Sequence, residues 1–93
     1  MNRLQKEVKI EIPPDLEGIF SNLAIITHND SEFIIDFIQT GPGLPPKVKV
    51  RIYLTPHHAK RFLIALQDNI NKYEAQFGEI KLPPVIGGEI IRE

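Results

Sequence analysis

The residues of this chain best suited to chemistry are three histidines, His28, His57 and His58, two serines, Ser21 and Ser31, and the carboxylate of Asp36. Three imidazoles can hold a zinc ion if the fold brings them together. His57 and His58 are adjacent, however, and neighbours on a helix point ~100° apart. They do not readily serve one metal, and His28 would have to join them from a distant part of the chain. In a first helical turn a charged histidine also opposes the helix dipole, so polar residues opening a helix are the plainer reading. Ser21, Ser31, His28 and Asp36 supply the types of an acyl-transfer triad, but nothing in the sequence resembles a nucleophile elbow or an oxyanion loop. Gly41 and Gly43 alternate with prolines, which have no N–H to offer, so residues 40–46 make a poor phosphate cradle. The chain has no cysteine, which excludes disulfides, thiolate metal sites and a cysteine nucleophile. The expectation is a protein that is not an enzyme, with no catalytic, cofactor-binding or metal-binding residue and no cofactor.

One charged constellation remains. Lys47, Lys49 and Arg51 alternate with valines and stand beside Tyr53. A strand face of basic and aromatic residues can bind single-stranded nucleic acid. Against that, the formal net charge is −1, unlike a dedicated nucleic-acid binder. Glu7, Lys9, Glu11, Glu32 and Asp36 are also expected on the same face, where cross-strand ion pairs compete. Asp36 and Arg51 in particular are expected to form a structural ion pair.

These side chains are positioned by four predicted strands and a helix. Residues 7–12 alternate strictly, with Val8, Ile10 and Ile12 on one side, and predict a half-buried strand. Pro13-Pro14-Asp15 ends it. Residues 19–28 and 32–39 predict two more strands joined by a tight turn at Asn29-Asp30. With His28 opposite Ser31, one face (face A) holds Ile26 opposite Phe33, Ala24 opposite Ile35 and Asn22 opposite Phe37. The other (face B) holds Ile25 opposite Ile34 and Leu23 opposite Asp36. A one-residue slip would drive Asp36 into the apolar side. Residues 40–46 read as a loop, and residues 47–54 as a fourth strand. Thr55 then caps a helix with Pro56 at its first position. Ala59, Phe62, Leu63, Leu66, Ile70, Tyr73 and Phe77 recur at three- and four-residue steps as one apolar stripe, and Gly78 stops the helix.

The predicted fold class is α+β: a four-stranded antiparallel meander followed by one C-terminal helix packed on face A, a SecB-like β-β-β-β-α arrangement. Residues 1–80 form the single domain and residues 81–93 an extended or disordered tail. The 93 residues, 42% of them hydrophobic and 25% charged, have the composition of an ordinary globular domain. No apolar run approaches the ~20 residues of a membrane span. The N-terminus has no apolar signal region, so a cytoplasmic protein without membrane contact is the expectation. So small a core barely offsets chain entropy, and one helix leaves a sheet face uncovered. Ile19, Leu23, Ile25, Ile34 and Ile38 are therefore the candidate interface on face B.

Several runs also resemble a known family: Ile19-Phe20-Ser21-Asn22, Thr27-His28, and Glu32-Phe33-Ile34-Ile35-Asp36-Phe37. The same holds for Arg51 and the helical run from Thr55-Pro56-His57-His58-Ala59-Lys60-Arg61-Phe62-Leu63 to Phe77-Gly78. The resemblance spans residues 8–80. It is to a small prokaryotic family catalogued as a domain of unknown function, the thirty-four sixty-seven family of that series. Phe20 stands where that pattern has a tyrosine. The resemblance implies no activity and no catalytic residue. A looser architectural similarity is to the subunit of the export chaperone SecB, without matching motifs. The expected function is a non-enzymatic, homo-oligomeric protein- or peptide-binding module of chaperone-like kind. The alternative is a nucleic-acid-associated protein using Lys47, Lys49 and Arg51.

Overall fold

The computed structural model describes residues 8–83. Three strands, β1 (Leu23–His28), β2 (Phe33–Gly41) and β3 (Leu44–Leu54), precede one helix, α1 (Pro56–Phe77). The sheet is an antiparallel meander in the order β1-β2-β3. The fold is therefore α+β with a C-terminal helix, but a fourth strand is not formed among the described residues. The segment expected to supply it, of which residues 8–12 are described, runs outside the sheet with Val8, Ile10 and Ile12 exposed at 73%, 81% and 75%. Alternation marks a segment able to lie on a pleated face, and a ladder also requires a free edge in register. The Pro13 carbonyl accepts from Leu16 N–H instead, turning the chain before β1. The four-stranded, SecB-like arrangement is thus corrected to a three-stranded one.

β1 begins four residues later than expected because side chains replace the ladder there. Asn22 Nδ2 donates to the Thr40 carbonyl at 2.9 Å, and Thr40 N–H donates to Asn22 Oδ1 at 3.1 Å. The amide side chain thus imitates a paired peptide. Ser21 Oγ donates to the carbonyls of Ile38 at 2.9 Å and Leu23 at 3.0 Å. Asn22→Ala removes two such bonds and is expected to cost about 1–2 kcal/mol of stability in urea unfolding. An unchanged midpoint would deny the side chain this part.

The β1–β2 register pairs Ile26 with Ile35, Ile25 with Asp36 and Leu23 with Ile38. It lies two residues from the expected pairing, because the turn tip is Asp30-Ser31 rather than Asn29-Asp30. Asn29 Oδ1 accepts from Ser31 N–H at 2.7 Å and Glu32 N–H at 3.0 Å, an Asx turn that holds the corner. A two-residue shift preserves parity, so every residue of these strands keeps its expected face.

The β2–β3 hairpin turns at Pro42-Gly43, with Gly43 at φ 75°, where only glycine is free of strain. Gly41 pairs with Leu44, so β3 extends through Pro45 and Pro46, which had read as loop. Prolines are tolerated there because β3 is an edge strand. A bulge breaks β3: Phe37 pairs with Val50 but Ile38 pairs with Val48. Val48 therefore stands with Ile38 on face B, and Lys47, paired with Gln39, stands on face A.

Thr55 caps α1, its side chain accepting from His58 N–H at 3.1 Å. Gly78 ends it at φ 100°, its N–H donating to the Glu74 carbonyl. Among the described residues the buried hydrophobic side chains are Ile35, Ile38 and Leu54. No residue of α1 is buried. The helix thus stands on the face A side, as expected, without closing over it. Its first turns approach the sheet beside Ile35 and Leu54, leaving an open cleft between Ile26 and Phe33 on one wall and Phe62, Leu63 and Leu66 on the other.

Candidate functional site

Asp36 and Arg51 are ladder partners on face B. Arg51 Nε donates to Asp36 Oδ1 at 2.6 Å and Nη2 to Oδ2 at 2.9 Å, a bidentate pair. The Asp36 side chain is 15% exposed and that of Arg51 55%. The hydrogen bond from Arg51 holds the Asp36 carboxyl below its ordinary value of 3.8, and the same bond raises the guanidinium further. A carboxylate held this firmly is a poor general base at neutral pH. On acidification the unfolded chain takes up this proton before the folded one does. The stabilisation is full above the ordinary carboxylate value and disappears as pH falls through the lowered folded value. The stability advantage of the wild type over Asp36→Asn is therefore expected to shrink only below about pH 4, in melts taken from neutral pH to acid. A constant difference across that range would deny the pair its linkage.

The other candidates are dispersed. His28 stacks on Phe33 with ring centroids 5.3 Å apart, and His58 tilts against Phe62 at 6.4 Å. No group of three or more histidines, aspartates and glutamates that could hold a metal ion occurs among the described residues. The bulge breaks the basic row: Arg51 is on face B in the grip of Asp36, and Lys47 is on face A. Lys47 and Lys49 line a shallow depression with Gln39 and Leu44. The three cations do not present one track to a nucleic-acid backbone.

The apolar candidates separate as well. Leu23, Ile25 and Ile34 are half-buried on face B, whereas Ile38 is 4% exposed and belongs to the core. Ile19, 56% exposed, borders a depression with Leu23 and with Ala24, Phe37 and Val50 of face A, so it stays near Leu23 but is not aligned with the face B row. The apolar stripe of α1, which sequence reasoning had placed in the core, is open along the helix. Phe62, Leu66, Tyr73 and Phe77 are exposed at 41%, 47%, 50% and 65%. Tyr73 and Phe77 pack on each other at 5.0 Å without a layer above them. Neutral amides, Gln67, Asn69 and Gln76, border the stripe. The Asp68–Lys72 ion pair, at 3.0 Å, lies on the far side. Lys60 and Glu74 stand with Gln67 on one flank, and an apolar stripe of this width with a polar rim resembles an interface.

No helix among the described residues is long and apolar enough to cross a membrane. A family model described as a protein of unknown function (DUF3467) matches residues 1–82. Neither a curated protein nor a solved structure matches the chain.

Proposed function

The chain belongs to this family of proteins of unknown function, and on that premise we propose that it works as a homo-oligomeric subunit binding protein or peptide, not as an enzyme. One observation carries the reading: a 22-residue helix with a continuous apolar stripe has no buried residue. Exposed apolar patches of this extent mark interaction sites. Association also supplies the burial that so small a core lacks. Once copies associate, the half-buried row of Leu23, Ile25 and Ile34 on face B is the surface left for an extended apolar segment of another protein, in a chaperone-like manner. The assembly part is tested by light scattering of the purified chain at tens of micromolar. A mass of two or more copies is expected, and a clean monomer overturns the reading. The binding part is tested with a fluorescently labelled unfolded protein. Saturable binding lost in Leu23→Lys and Ile34→Lys is expected, and absence of binding by the wild-type assembly overturns it.

A further inference from the structure

We propose that the surface covering the α1 stripe is a second copy of this chain, its α1 laid antiparallel to the first about a two-fold axis near Gln67. This rests on the oligomer reading above and gives it a specific contact.

Area is the first argument. With aromatic side chains presenting about 150–250 Å² each, the stripe together with Ile26 and Ile52 offers roughly 700 Å² of open apolar surface per copy. A stable interface buries about 800 Å² on each partner, and a monomer's largest patch is typically ~300–600 Å². The stripe with Ile26 and Ile52 therefore exceeds a monomer's usual largest patch and comes close to the area of a standard interface, so the sheet residues beside the helix are part of the contact.

Charge supplies the orientation. Lys60 and Glu74 are fourteen positions apart, symmetrically placed about Gln67. At 100° per residue they fall on the same flank of the stripe, ~40° apart. When two helices pair antiparallel about a two-fold axis, a flank meets the same flank of the other helix. Each Lys60 then lies beside the partner subunit's Glu74. In a parallel pair the same flanks lie on opposite sides of the seam, and neither charge finds its complement. Glu74 is half-buried, and its Oε2 accepts from Ile80 N–H at 2.9 Å, which leaves Oε1 for a partner.

Shape agrees with charge. The antiparallel pairing brings the partner subunit's Tyr73 and Phe77 to the level of the first turns of α1. There the cleft over face A is open, and Ala59 leaves room for rings. The aromatic end of one helix fills the gap beneath the other, and the two-fold operation repeats the contact.

The chain has no cysteine, so each variant can carry a single reporter thiol. Leu66→Cys lies one position from the axis. Ala59→Cys is ~24 Å from its twin in the antiparallel pair but adjacent to it in a parallel one. The expected result, with the wild type dimeric by light scattering, is a covalent dimer on mild oxidation of L66C and none of A59C. Lys60→Glu and Glu74→Lys are each expected to raise the dissociation constant several-fold, and the double variant to bring it back within about two-fold of wild type. A monomeric wild type overturns both this contact and the oligomer reading. An oligomer that cross-links through A59C, or through neither thiol, overturns the antiparallel helix pair and leaves the oligomer reading standing. A double charge swap no better than its worse single variant counts against the contact independently of any cysteine.

Discussion

Leu66→Asp is expected to convert the assembly into folded monomers. Leu66 is 47% exposed in the single chain. There an aspartate costs the subunit about 0.5–1 kcal/mol, mostly through helix propensity. In the antiparallel pair the same position faces its twin across the axis. Two carboxylates would then enter an apolar seam together, each at about 2–3 kcal/mol, and the dissociation constant would rise roughly 10³–10⁴-fold. The disparity is what makes the measurement informative. Light scattering should report half the mass or less, while far-ultraviolet circular dichroism of the monomer retains its helix and sheet. A variant that keeps the wild-type mass would show that the stripe faces water in solution. Loss of secondary structure together with mass would mean that the subunit fold depends on assembly.

Ile38→Ala is expected to be the most destabilising single truncation on the sheet, at about 2–5 kcal/mol. Ile38 is 4% exposed, on β2 between Leu23 of β1 and Val48 of β3. Its carbonyl also accepts from Asn22 N–H and Ser21 Oγ. Truncation empties one of the few filled volumes in the molecule and loosens the segment that leads into β1. Small domains have total stabilities near the lower end of ~5–15 kcal/mol, so this loss is a large fraction. Ile34→Ala, on the same face but half-buried, should cost about 1 kcal/mol. Urea unfolding of both variants separates them, and comparable midpoints would contradict the placement of Ile38 in the core.

The parts of the fold legible in the sequence were those governed by parity and periodicity. The turn between β1 and β2 was placed one residue early, yet each side chain of the two strands kept its face. A register error of two is invisible to a period-two pattern. For that reason Asp36 and Arg51 could be assigned to one face from spacing alone. The helix was legible from its cap, its proline and its stop. The rest turned on events that alternation does not encode. The bulge at the Lys49 level reverses the faces of Val48 and Lys47, and no residue type there announces it. Residues 8–12 carry a strand pattern but find no ladder among the described residues, because pattern specifies a face and not an edge partner. The stripe of α1 looked like core because periodicity reports which side is apolar and is silent about what lies opposite.

The position of Pro45 and Pro46 limits the size an assembly can reach. β3 is one margin of the sheet, and the half of it nearest the hairpin carries two residues without an N–H, then Lys47, a register break and Lys49. Such a margin cannot template an incoming strand. The opposite margin, β1, is six residues long, a short platform for growth. Sheets are thereby discouraged from joining end on end into ribbons. A helix seam that each copy can occupy once is a closed contact. The particle mass should therefore plateau on concentration, instead of climbing toward fibres.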